Sequence, residues 1–410
     1  MSRIHALLLF AVMAPSLAVG HGAFPESRAL SFRDPGDALP LVLSTFGLLI
    51  PQAPGDWQWV CEEVASGAIV TDVLALSSGR TLLATGAGIR FSDDLCNWQT
   101  VEGDVGFADV AQMDLSDEGD LWVANAEPGL GGGLWRSSDG GATFEAQWTS
   151  IFGEDVSVNG FVFGADGTPQ FVTGDLGDGP VWWWRDGADW TVTTTDSVDG
   201  DAAYALSLSV GGDEVFVALR TGAGDKLIAV SKDGTQRPCL ERETLQDFIL
   251  EASAGPGVGE IRLATVNTGL WTSFDDGTEW QSPQEPPRAG CLQRVGSDFY
   301  QCTDNYIDEA TLIKHSGDPS QAEPVLRFGE VRETLGCSED SDVIRICEPL
   351  WPLVEVYGLN DESITPYPET PTPTETGDPT NGGGEGCDCE SGGAAWLLAP
   401  LLWMRRRRGL

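Results

Sequence analysis

Apolar residues along this chain come in short runs broken by Gly, Ser, Asp and Pro. Between positions 70 and 103 the runs "VTDVLALSS", "RTLLATGA", "GIRFSD" and "NWQTVEG" follow one another with turn residues between them. The next stretch reads the same way, as "VAQMDLSDEGDLWVANA" and then "GLWRSSDGGATFEAQW". Runs this short, rich in β-branched and aromatic residues and bounded by turn formers, predict strands. No core segment sustains apolar residues at a 3.6-residue period, which argues against an α/β fold.

The strand pattern repeats. "GLWRSSDGGATF" (133–144) and "TGLWTSFDDGTEW" (268–280) share Gly-Leu-Trp-x-Ser-x-Asp-x-Gly, followed by an aromatic. The marks are Ser137, Asp139, Gly141 and Phe144 in one copy and Ser273, Asp275, Gly277 and Trp280 in the other. Weaker copies keep Ser92, Asp94 and Trp98; Asp186 and Trp190; Ser231 and Asp233; and Ser316 and Asp318, while the first unit carries Ala53 in place of Asp. The equivalent positions 53, 94, 139, 186, 233, 275 and 318 are spaced by 41, 45, 47, 47, 42 and 43 residues. A period of about 40–45 residues with four strands per unit predicts a β-propeller blade. The expected fold is therefore all-β, a propeller of about seven four-stranded blades over 21–328, with 329–360 as a closing strand or a disulfide-pinned cap. The Asp carboxylate suits a clasp, because it accepts backbone N–H groups one to three residues on and fixes a tight turn. A motif repeated once per blade spreads its copies around a rim, whereas a catalytic pair must converge.

These stretches resemble the Asp-box, or BNR, repeat family, which includes sialidases, sortilin-type receptor domains and photosystem II assembly factors. The resemblance covers roughly 29–328. It implies that the Asp turns join the third and fourth strands of each blade, on the face away from any ligand. It does not imply sialidase activity: the family's Arg-Ile-Pro motif is absent, and the chain has only five Tyr. The opposite face is then the expected ligand face, with Asn125, Glu127, Asp175, Asp178, Asn267, Asp304 and Tyr306 as its candidates. Acidic loops offer oxygen ligands for Ca²⁺, but no stretch has EF-hand spacing. The expectation is solvated turns, no cofactor, and a protein or glycan as partner. A glycoside hydrolase using paired carboxylates is the alternative reading.

Charge narrows the partners. With 63 acidic against 23 basic residues the formal net charge is −40, which disfavours nucleic acid and anionic lipid surfaces. Aromatic content, with 15 Trp and 16 Phe, is that of a globular chain rather than a disordered one.

The ends read as export signals. Met1-Ser2-Arg3, the apolar "ALLLFAVMA" and the small residues of "SLAVG" make 1–20 a signal peptide cut after Ala18 or Gly20, with an uncleaved membrane anchor as the alternative. Cleavage after Gly20 would leave His21 first, a copper chelator only with a second His nearby; an ordinary polar terminus is the expectation. Residues 361–386 are a Pro/Thr/Gly-rich linker. In 387–410, Cys387 and Cys389 precede a short apolar span and four Arg. This order resembles the MYXO-CTERM type of bacterial sorting tail, which implies processing by a sorting protease and display at the cell surface or outer membrane. A plain C-terminal membrane anchor is the alternative. In an exported chain, nine cysteines read as disulfides. Cys291 and Cys302 lie on two arms of a hairpin, Cys337 and Cys347 close a short loop, Cys61 and Cys96 sit in neighbouring units as a third candidate pair, and Cys239 is left over. There is no Cys-x-x-Cys and there are only three His, so a zinc site is not expected.

Overall fold

A computed structural model describes residues 26–355 apart from 35, 66–69, 127–132, 150–156, 176–178, 188, 195–201, 209–213, 256 and 283–286. The leader 1–20, His21, Glu127, Asp178, the linker 361–386 and the tail with Cys387 and Cys389 lie outside the described residues.

The chain folds into a seven-bladed β-propeller of antiparallel sheets in sequence order. Blade 1 comprises strands Ser27–Ser31, Leu41–Ser44, Gly47–Ala53 and Asp56–Cys61. The later blades begin with first strands Val70–Ala75, Val110–Leu115, Ser157–Phe163, Ala202–Leu208, Ile249–Ala254 and Cys291–Val295. Each first strand pairs only with the second strand of its own blade and touches the first strands of both neighbouring blades, so the seven form the inner ring. Blade 6 has three strands, and a single bridge between Thr272 and Gln281 stands in for the fourth among the described residues.

Both faces of each blade are buried against neighbours, which explains runs such as "VWWW" in blade 4. Successive side chains on a strand point to opposite faces. Trp182 and Trp184 accordingly pack against Val215 and Val217 of blade 5, while Trp183 packs against Trp122 and Leu134 of blade 3. All three indoles are at most 1% exposed.

The ring closes without a shared blade. Blade 7 ends at Leu326, and strand Val331–Thr334 then adds as a fifth strand to blade 1, parallel to Asp56–Cys61. A compact cap of short helical turns follows over 343–354. Residues 329–360 are thus closing strand and cap at once as far as they are described. Two disulfides pin them, and here the expected pairing is corrected: Cys61 bonds Cys347 and Cys96 bonds Cys337. Cys61 ends the fourth strand of blade 1, whereas Cys96 lies in the turn before the fourth strand of blade 2. Both meet the same short helical turn, Cys61 through Cys347 and Cys96 through the bond from Val343 N to its carbonyl at 3.2 Å. Cys337 and Cys347 flank a helical turn and face different blades. Cys291 bonds Cys302 across the first hairpin of blade 7, and Cys239 is free.

Candidate functional site

First-to-second and third-to-fourth strand connections share one face of the ring, here called the clasp face. The remaining connections share the other, the loop face. Five of the seven repeat positions, 94, 139, 233, 275 and 318, follow their third strands in the turn toward the fourth, and Ala53 and Asp186 are the last residues of theirs. In blade 3, Asp139 Oδ1 accepts from Ser137 Oγ at 2.7 Å, Ala142 N at 3.0 Å and Thr143 N at 2.9 Å. Ser137 Oγ itself accepts from Gly141 N at 2.8 Å. Asp94 and Asp275 hold the same pattern, with Cys96 N and Asn97 N on Asp94 at 2.8 Å each and Glu279 N on Asp275 at 2.8 Å. Partial burial works to raise the Asp139 carboxyl, and the hydrogen bonds from Thr143, Ser137 and Ala142 outweigh it, leaving it at about 2.

The weaker copies are simpler turns. Asp233 is held by Thr235 alone, whose N lies at 2.9 Å, Asp318 caps Ser320, and Asp186 pairs with Lys232 of blade 5 at 3.2 Å. Ser231 and Ser316 end or follow their third strands. Trp98, Phe144, Trp190 and Trp280 each pack against a blade core.

The strong turns also clamp the preceding blade. Gly141 and Gly277 have φ of +80° and +76°, and a Cβ there would lie 2.5 Å from Leu82 of blade 2 and Phe216 of blade 5 respectively. Arg80 of blade 2 donates to Gly140 O at 3.3 Å. Arg237 of blade 5 donates to Gly277 O at 3.0 Å and Asp276 O at 3.2 Å.

On the loop face, the candidate side chains mostly build the loops. Asn125 is buried at the end of a strand, and Asp175 is half-buried at another. Asn267 Nδ2 donates to Asp247 at 2.9 Å. Asp304 accepts from Tyr306 N at 2.9 Å and pairs with Arg288 at 3.3 Å. They are distributed over blades 3, 4, 6 and 7 and do not converge. Among the described residues, no three His, Cys, Asp or Glu are grouped to hold a metal.

Two features escaped the sequence reading. The first is at the axis. In six interfaces one blade supplies an oxygen to a backbone N–H on the next inner strand: Ser31 to Ala75, Asp72 to Met113, Gln112 to Phe161, Thr173 to Ala205, Asp225 to Ile249 and Glu251 to Leu292. At the seventh, Ser27 and Thr311 hydroxyls meet at 2.7 Å. An inner strand has a free edge, and its N–H groups need acceptors. Enclosure by the ring raises the carboxyls of Glu251 to about 8, Asp72 to about 7 and Asp114 to about 6. Asp114 and Glu251 nevertheless remain open to solvent along the axis, and Asp72 partly so. The signal was present as apolar-x-[Asp/Gln/Glu]-apolar near the start of first strands, in "VTDV", "VAQM" and "ILEA".

The second is an aromatic and cationic cluster on the loop face between blades 5 and 6. The Arg220 guanidinium lies 4.7 Å from the Tyr204 ring and 5.4 Å from Phe248. Fully buried Asp225 holds it through bonds of 3.0 and 2.9 Å. Arg220 also donates to the Ile249 carbonyl at 2.8 Å, the next residue, Leu250, is 41% exposed, and Phe107 and Ile307 are exposed elsewhere on this face.

No protein-family model and no curated protein sequence matches the chain. Solved β-propeller structures do. Virginiamycin B lyase from Staphylococcus aureus is 10% identical with a TM-score of 0.51, over 68% of this chain and 92% of that one. A streptogramin B lyase is 11% identical with a TM-score of 0.50, over 68% and 90%. YCF48 from Cyanidioschyzon merolae is 13% identical with a TM-score of 0.49, over 69% and 94%. At these identities the likeness to the lyases shows the fold: this chain is a seven-bladed β-propeller.

Proposed function

We propose that the protein is an exported, surface-displayed Asp-box propeller that binds a protein or glycan on its loop face. The observation that carries this reading is the Tyr204–Arg220–Phe248 cluster with exposed Leu250. Aromatic residues and Arg dominate binding hot spots, and a side chain already locked by its neighbours loses little entropy on binding. Of the candidate carboxylates of the loop face, Asp304 is engaged in its own loop and with Arg288. The Asp turns act as clasps, and the MYXO-CTERM-like tail supplies display after processing near Cys387 and Cys389.

Binding of the full-length protein to glycan arrays and to extracellular protein preparations tests the reading. Y204A/L250S should weaken a captured partner at least tenfold when the variant is assayed well below its own melting temperature, which loss of the Tyr204 packing lowers. Turnover of a polysaccharide, abolished by one carboxylate substitution, would sink it. The hydrolytic alternative draws on the raised carboxyls of Asp72, Asp114 and Glu251, since a protonated acid beside an ionised one is what glycosidases use. Cell fractionation with and without 387–410 tests display: loss of surface exposure on deletion is expected, and unchanged exposure would contradict it.

A further inference from the structure

A cleft opens on the clasp face, away from the loop-face cluster. It encloses about 360 Å³ between the first-to-second connection of blade 1, the edge Ile50–Gln52, the Asp turn of blade 2 and the closing segment at Leu335 and Gly336. That volume is within the range of binding sites, about 300–1,000 Å³.

Its walls are aliphatic: Leu39, Leu41, Ile50, Pro51, Leu95 and Leu335. Leu95 stands out. The residue after the clasp Asp has positive φ in all three strong turns, at 60° for Leu95, 69° for Gly140 and 59° for Asp276. Gly and Asp tolerate this region, whereas Leu does not adopt it readily. Blade 2 thus places a leucine where its own motif disfavours one, and that leucine forms part of the cleft wall. The rim is polar, with one cation, Arg33, and two carboxylates, Asp37 and Asp94. Arg33 and Gln52 make no hydrogen bonds among the described residues, and Asp37 uses one carboxylate oxygen on Asp34 N at 3.0 Å. Asp94, the remaining charged group, is saturated by Ser92, Cys96 and Asn97.

We propose that this cleft is a second binding site, specific for an uncharged peptide segment that inserts one large apolar side chain. The floor takes the side chain. Arg33 and Gln52 donate to its backbone carbonyls, and Asp37 and Gln52 accept from its N–H groups. With the Asp94 oxygens already used, Arg33 and Asp37 are the charged groups left to a ligand, and that donor and acceptor complement an amide, which carries both, better than a polyion. No aromatic ring lines the cleft to stack on a sugar, which sets peptide above glycan. The Cys96–Cys337 bridge fixes the wall formed by the closing segment, so the site exists only with that segment in place.

Leucine-methyl NMR of the full-length protein, titrated with acetyl-Gly-Phe-Gly-amide, tests this. Saturable shifts confined to Leu39, Leu41, Leu95 and Leu335 are expected, with acetyl-Gly-Ser-Gly-amide at least tenfold weaker. A Cβ on Gly336 meets nothing within 4 Å, as does one on Gly222 on the opposite face. G336F should therefore fill the cleft and abolish the shifts at unchanged melting temperature, while G222F leaves them intact. R33A/Q52A, which adds no bulk, should weaken binding at least threefold. No saturable shift, shifts that survive G336F, or equal shifts from maltotriose would overturn the proposal. None of these outcomes bears on the loop-face cluster, which Y204A/L250S reads separately.

Discussion

Removing the two closing disulfides, singly and together, should reveal that they act as one device. Cys61–Cys347 spans 286 residues and Cys96–Cys337 spans 241. In the chain-entropy treatment either bridge alone restrains the unfolded chain by about 5.5 kcal/mol. They are nested, however. With one in place, the other closes only the 35 residues from Cys61 to Cys96 and the 10 from Cys337 to Cys347, a loop of about 45 that contributes about 4 kcal/mol. Each single removal, as a Cys→Ala pair, should therefore cost about 4 kcal/mol, and the double removal about 9.5, which exceeds the two singles together by about 1.5 kcal/mol. That total rivals the whole stability of an ordinary domain, about 5–15 kcal/mol. Removing Cys291–Cys302, a hairpin bridge spanning 11 residues, should cost only about 3 kcal/mol and add independently. Urea unfolding followed by tryptophan fluorescence measures all four. A double variant no worse than the two singles combined would refute the nested closure.

Three further outcomes are expected. Asp139→Ala should lower stability by about 1–2 kcal/mol through lost turn hydrogen bonds while leaving partner binding unchanged; lost binding at unchanged melting temperature would contradict the clasp role. Gly277→Ala should cost about 2–4 kcal/mol and Gly141→Ala about 1–2, because the first pushes a methyl onto the rigid Phe216 ring and the second onto a leucine methyl; equal costs in urea melts would count against the blade-to-blade contact. Glu251 and Asp72 bind protons more tightly folded than unfolded, so stability should fall as pH rises from about 5 to about 8. Solvent access along the axis keeps that loss on the order of 1–2 kcal/mol. Glu251→Gln, which retains an acceptor for Leu292 N, should flatten the melting profile, and an unchanged slope would show that Glu251 does not contribute.

The blade count was legible because its marker is local. Ser137, Asp139 and Gly141 fix their turn within five residues, so the chemistry repeats wherever the turn does. What joins one blade to the next was not legible. Glu251 meets Leu292 and Arg237 meets Gly277 across 40 or so residues, and neither partner carries a sign of the other. The disulfide pairing failed for the same reason. Proximity in sequence suggested Cys337 with Cys347, while the parallel strand Val331–Thr334 sends each to a different blade. On the loop face, residue type alone marked Asp304 and Asn267, and the fold assigns both to holding their own loops.

The placement of Cys347 also determines how the molecule bears load. A pull applied beyond Glu355 meets Cys347 before any strand, and passes through a covalent bond into Cys61 at the end of blade 1. The hydrogen bonds of Val331–Thr334 lie past that junction and carry none of it. A propeller tethered from its C-terminal side would therefore resist drag as a ring hung from a rivet, with its seam out of the line of force.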